Sequence, residues 1–168
     1  MFKVGKTIVY EDGKVYDILD EVQKDFGNGP TNYFVLQENE VYGVEKPTTV
    51  FASVATITKK ARDLISHHQA KKILSEISDI EVLWINDCKQ RKIIFSEYIA
   101  SKDLIQVVKV LKSFYIKEIE LRDKNKSLTI TDRRLMERVK ADFIAELSIV
   151  LKKTWDEIED KIIIEFNK

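Results

Sequence analysis

An α+β fold built in two successive domains is predicted by three features of this 168-residue chain. All five glycines and both prolines (Gly5, Gly13, Gly27, Gly29, Pro30, Gly43 and Pro47) fall within the first 47 residues. Short runs of alternating apolar residues occupy that same stretch. The remainder has neither residue type and carries apolar side chains at helical spacing. Gly and Pro cost a helix interior about 1 and about 3 kcal/mol. Punctuation that stops at one point therefore marks a change of architecture. The boundary is placed at 57/58, with a β module over 1–57 and an all-α bundle of about five helices over 58–168.

In the first part, Phe2, Val4, Ile8 and Tyr10 share one parity and Lys3 and Thr7 the other, the period of a half-buried strand. Asp12-Gly13 signals a hairpin, because both residues tolerate positive φ. Val15, Tyr16 and Ile18 continue into a second strand. Gly27-Asn28-Gly29-Pro30 marks a turn, and Tyr33-Phe34-Val35-Leu36 a third strand. Val41–Ile57, rich in Val, Thr and Phe, supplies one or two more. Several short strands in so few residues predict a small SH3-like or Tudor-like antiparallel barrel. Pro47 belongs at an edge or a strand start. Exposed sheet edges pair with other chains unless blocked. Two readings follow: a protein-docking module working by β-augmentation, or a barrel whose edges are covered by loops.

In the second part, Ser66 with Gln69 has the form of a capping box, followed by Ala70, Ile73, Leu74 and Ile77. A second helix is predicted from about Asn86, with Ile94, Phe95, Tyr98 and Ile99 as its stripe. A third runs from about Ser101 through Leu104, Val107, Val108, Leu111 and Tyr115. Thr129 to Asp132 is a weaker capping box, opening a helix with Leu135, Val139, Phe143, Leu147 and Val150. Thr154 with Glu157 opens the last, with Ile158 and Ile162.

Composition narrows the class. At 44% hydrophobic and 33% charged the chain is not of disordered type. A net charge of zero argues against a general nucleic-acid coat protein. The sign is uneven: residues 1–57 hold 5 Lys and 9 Asp+Glu, a net of −4, and 58–168 a net of +4. This directs the helical half toward polyanions. A single cysteine, Cys88, excludes an intrachain disulfide, and no apolar run reaches membrane-spanning length. The expected compartment is the cytoplasm. His67 and His68 are neighbours and so do not face each other on a helix, and no metal-ligand spacing surrounds them. No phosphate-binding Gly loop, nucleophile elbow or catalytic carboxylate pair is present. The expectation is a non-enzymatic monomer without a cofactor.

Two features of the helical half point to a ligand. Trp84 sits just before a predicted helix. Basic residues follow: Lys89, Arg91 and Lys92, then Arg133, Arg134, Arg138 and Lys140. An indole flanked by cations suits nucleic acid, because the cations neutralise phosphates and the ring stacks or wedges beside a base. A core tryptophan and a solvated helix face account for the same residues.

Phe2-Lys3-Val4-Gly5, Ile8-Val9-Tyr10, Gly13 and Tyr33-Phe34-Val35-Leu36 resemble the opening of the CarD/CdnL/TRCF family. Leu83-Trp84 followed by Lys89, and Leu128-Thr129 through Arg133-Arg134-Leu135-Met136 to Ala145-Glu146-Leu147, are similar to its helical domain. The resemblance spans nearly the whole chain, in order. It implies a Tudor-like domain over 1–57 docked on the β subunit of bacterial RNA polymerase, and a helical domain on promoter DNA, stabilising the open complex. By this resemblance Trp84 wedges into the minor groove without reading sequence, and Lys89, Arg133 and Arg138 meet phosphates. Asn86 stands where the family often has a cation. Gln23, Lys24, Thr49 and Val50 stand at or near positions that some members use against polymerase. The chain departs from the family pattern at Lys6, Glu11, Ala52 and Lys60-Ala61-Arg62. The rival reading is a protein–protein adaptor that never touches DNA.

Overall fold

The computed structural model describes every residue except Asp12 and Lys102. Its secondary structure is α+β: one antiparallel five-stranded sheet and six α-helices among the described residues. The chain divides into two compact units, Met1–Ile65 and Ser66–Lys168. The division falls beyond the 57/58 boundary because the chain after Ile57 still belongs to the sheet unit.

The first unit contains β1 (Thr7–Val9), β2 (Val15–Lys24), β3 (Thr31–Glu38), β4 (Thr49–Ser53) and β5 (Arg62–Asp63), in the spatial order β4-β3-β2-β1-β5. Each ladder is antiparallel. Tyr16 faces Glu38, Leu36 faces both Ile18 and Val50, and Ile8 faces both Tyr16 and Asp63. The β1–β2 turn is closed by the Gly13 amide donating to the Tyr10 carbonyl at 2.7 Å, with Gly13 at φ 89°. The other half of the expected turn signal, Asp12, lies outside the described residues. A bulge between Ile18 and Asp20 shifts the β2–β3 register and turns Leu19 to solvent.

Two expectations change here. The sheet is open: among the described residues β4 and β5 are edge strands that do not pair with each other. The stretch Val41–Ile57, read as holding one or two strands, supplies β4 but turns helical at Val54, forming α1 (Val54–Lys60). Its β-branched residues favour a strand. The Ser53 side chain nevertheless accepts from the Thr56 amide as an N-cap, and Ile57 is fully buried against the sheet. Burial of Ile57, about 1.5–3 kcal/mol, outweighs propensity differences of a few tenths per residue. The core of this unit is Ile8, Tyr16, Ile18, Phe34, Leu36, Ala52, Ile57 and Ala61.

The second unit holds α2 (His67–Glu76), α3 (Cys88–Ala100), α4 (Leu104–Asp123), α5 (Ile130–Leu151) and α6 (Trp155–Phe166). The capping boxes at Ser66/Gln69 and Thr154/Glu157 both form reciprocally. The helix read from about Asn86 starts at Cys88, behind an Asp87 N-cap, and the one read from about Ser101 starts at Leu104, behind Asp103. α5 is the central helix: Val139, Phe143, Ile144, Ala145 and Leu147 are buried along it, and α2, α4 and α6 pack on it. The buried Lys112 of α4 donates its ammonium to the carbonyls of Ile77 (3.3 Å) and Ser78 (2.5 Å), capping the chain where α2 ends.

Candidate nucleic-acid interface

Trp84 lies on the non-helical segment between α2 and α3, and the geometry around it follows from how that segment is pinned. The Leu83 amide donates to the Ser113 hydroxyl of α4 at 2.9 Å. On the other side, Arg91 of α3 reaches back. Its Nη1 donates to the carbonyls of Ile85 (2.5 Å) and Asn86 (3.3 Å). The same guanidinium grips Asp132 of α5, with Nη2 to Oδ2 at 2.6 Å and Nε to Oδ1 at 3.2 Å. Both side chains are nearly inaccessible, at 5% and 6% exposure. A buried ion pair is tolerated only when nearly every donor is used, and this fork-to-fork arrangement uses them.

Asp132 is the residue read as closing a capping box with Thr129. Thr129 does cap the helix by accepting from the Asp132 amide at 3.1 Å. The carboxylate, however, turns to Arg91, and the Thr129 hydroxyl donates to it at 2.8 Å. Arg91 was grouped with Lys89 and Lys92 as a surface cation. It is instead buried and committed inside the fold, because its five donors match a carboxylate and two orphan carbonyls at once.

The Arg91 guanidinium also lies 4.3 Å from the centre of the Trp84 ring, and the Lys117 ammonium 5.4 Å from it. Trp84 makes edge-to-face contacts with Phe95 (6.4 Å) and Phe114 (6.0 Å), which pack on each other at 5.1 Å. The indole is thus half-buried, neither sealed in the interior nor freely projecting. Lys117 pairs with Glu120 at 2.9 Å, and that hydrogen bond holds the Glu120 carboxyl below its ordinary range.

The other residues expected on DNA are in different states. Asn86 is exposed, with its carbonyl tied to Arg91. Lys89 is exposed in the first turn of α3. Arg133 pairs with Glu118 of α4 at 3.2 Å, both partners being half-exposed. Such a pair is worth about 0–1 kcal/mol and opens readily for a phosphate. Arg134 and Arg138 are exposed on α5 and have no ion-pair partner among the described residues, whereas Lys140 is paired with Glu159 at 2.7 Å.

The first unit carries a second surface that the sequence reading missed. Phe26, Tyr33 and Phe51 form an exposed aromatic cluster, with Phe26–Tyr33 at 5.0 Å, Phe26–Phe51 at 6.3 Å, and the Lys24 ammonium 4.0 Å above Phe51. Phe26 and Phe51 are 59% and 41% exposed, unusual for phenylalanines that touch. Among the expected docking positions, Gln23, Lys24 and Thr49 are exposed near this face or on the β4 edge. Val50 is half-buried. Strand alternation pairs it with Leu36 and packs it against the core, which gives the outward position to Phe51. The available signal was alternation: placing Val50 inward puts Phe51 outward.

Among the described residues, no three His, Cys, Asp or Glu side chains converge as a metal-holding group, and no helix is long and apolar enough to cross a membrane. In comparison with known proteins, no family model and no curated sequence matches this chain.

Proposed function

We propose that this chain is a non-enzymatic transcription regulator of the CarD/CdnL/TRCF type. In this reading a Tudor-like sheet unit tethers it to the β subunit of RNA polymerase, and the helical unit holds promoter DNA and prolongs the open complex. The observation that carries the proposal is the Trp84 shelf. The indole is backed by Phe95 and Phe114, stacked under a guanidinium that is itself locked to Asp132, and accompanied by the exposed cations Lys89, Arg134 and Arg138. A wedge that works at the minor groove must be stiff, because unstacking a base step costs a few kcal/mol, and this indole is held from several sides. The aromatic cluster at Phe26, Tyr33 and Phe51, beside the unpaired edge of β4, supports protein docking by the first unit.

The test joins capture and lifetime. The chain is retained on immobilised polymerase β-lobe, and it lengthens the half-life of open complexes challenged with competitor. Trp84→Ala, measured well below its melting temperature, keeps capture and loses most of the lifetime effect. An unchanged lifetime with that variant removes the wedge from the proposal.

One observation favours the adaptor reading. Both cations that face the indole are already engaged internally, Arg91 with Asp132 and Lys117 with Glu120, and so is Arg133, with Glu118. Under that reading the shelf is a packing device, and duplex DNA does not bind.

A further inference from the structure

The cavities, charged clusters and exposed apolar patches of the helical unit include one that the transcription reading does not use. A concave site of about 670 Å³ lies against α2 and α6. Its lining carries four lysines, Lys71 from α2, Lys153 from the turn before α6, and Lys161 and Lys168 from α6 and its end, together with His67. A single carboxylate, Glu165, faces it.

The charge there is only half cancelled locally. Glu165 pairs with Lys168 at 2.6 Å, and Lys153 is matched by Glu157 at 3.0 Å. Lys71 and Lys161 have no ion-pair partner among the described residues, and both are exposed to the cavity's solvent. For a chain of zero net charge, this is a local excess of positive charge collected in one concavity. Concavity matters, because low-dielectric walls focus the field and raise the local concentration of anions.

The lining also states what kind of anion fits. His67 is its one aromatic ring, and it contains no Asn or Gln to read a base edge. Lysines bind as mobile point charges, suited to phosphate oxygens rather than to a single planar carboxylate. Ser78 adds a hydroxyl, whereas the Ser75 hydroxyl donates to the Lys72 carbonyl at 2.7 Å. A pocket of this volume is the size of a small-molecule site. The α5 end of the site is far from Arg133. Leu151, at its margin, is eighteen positions along α5 from Arg133, about 27 Å at 1.5 Å per residue. That exceeds the screening length at physiological salt, about 8 Å.

We infer that the α2–α6 cavity binds a small, multiply phosphorylated anion, recognised by its polyphosphate chain. Two sources share that chemistry: inorganic polyphosphate and the phosphate tail of a nucleotide. This site does not depend on the transcription reading and stands if that reading fails.

The test is isothermal titration calorimetry of the full chain at about 50 mM salt, where screening is weak, with sodium tripolyphosphate and with ATP in separate arms. Tripolyphosphate is expected to bind one to one, and orthophosphate far more weakly. Lys71→Gln with Lys161→Gln is expected to lower the affinity about tenfold or more, with an unchanged circular dichroism melt. Lys124→Gln with Lys126→Gln, which removes two exposed lysines from the α4–α5 turn, is expected to change nothing. Equal affinities for the two ligands assign recognition to the phosphates alone, and tighter ATP binding assigns the nucleotide as source. The inference is overturned by no heat with tripolyphosphate, by equal losses in the two double variants, or by displacement of the ligand by a short duplex.

Discussion

Arg91 and Asp132 are 41 positions apart in sequence, and the guanidinium and carboxylate meet through two hydrogen bonds in the interior of the helical unit. That contact joins the start of α3 to the start of α5. Through the carbonyls of Ile85 and Asn86 it also fixes the segment that carries Trp84.

Removing one member of a buried ion pair leaves the other charged and unpaired, at a cost of about 3–5 kcal/mol. Arg91→Ala and Asp132→Asn are therefore expected to be strongly destabilising in urea unfolding, with Arg91→Ala also changing Trp84 emission. Combined as Arg91→Met with Asp132→Leu, the two changes should cost much less than their sum. Additive losses would mean that the two residues do not act as a pair.

Lys112 presents the same logic with neutral partners. Its ammonium satisfies the carbonyls of Ile77 and Ser78 from a position only 8% exposed. Lys112→Met keeps the stem and removes both bonds, and a loss of about 1–3 kcal/mol is expected. Hydrogen exchange should show the extra opening concentrated at the end of α2. Unchanged protection there would refute the capping role.

Glu38 makes the sheet unit sensitive to acid. Burial by itself pushes its carboxyl up, but the hydrogen bond from Lys14 (2.6 Å) and the Thr48 amide outweigh it, leaving the carboxyl below its ordinary value of 4.5. A depressed folded-state value means the stabilisation is present above 4.5 and is lost as pH falls through the folded value. The Tm of this unit should drop on acidification below that point. Glu38→Gln should flatten this part of the profile and lower the Tm at neutral pH.

Binding to duplex DNA should follow counterion release. With three phosphate contacts, from Lys89, Arg133 and Arg138, log affinity falls against log salt with a slope of about −3, at roughly −0.9 per contact. Arg138→Ala should reduce the steepness by about 1 and weaken unrelated sequences equally. A flat salt response would exclude phosphate contacts by these residues.

The aromatic face of the sheet gives the docking half its own measurement. Phe26→Ser with Phe51→Ser removes two rings that are largely outside the core, so the Tm should change little. Capture on the polymerase β-lobe should be lost. Retained capture would move docking away from this face.

By itself the sequence determined the order of the two halves, the α+β class and the starts of three helices. Those features are written locally: glycine and proline interrupt, apolar periodicity selects the face, and Ser66, Thr129 and Thr154 cap the turns that follow them. The basic residues after Trp84 were also legible, and one of them, Arg91, lies over its ring. Their states were not, because a cation's partner is set by elements far away in sequence. Arg91 became internal through Asp132, Arg133 was paired through Glu118, and Arg138 stayed exposed. Only the tertiary structure decided that Val54–Lys60 is helical despite its β-branched residues, since the deciding energy is burial of Ile57 on a sheet assembled from other strands. The same holds for Val50 and Phe51: alternation guarantees that they face opposite ways, but which one meets the core depends on the register of β4 against β3.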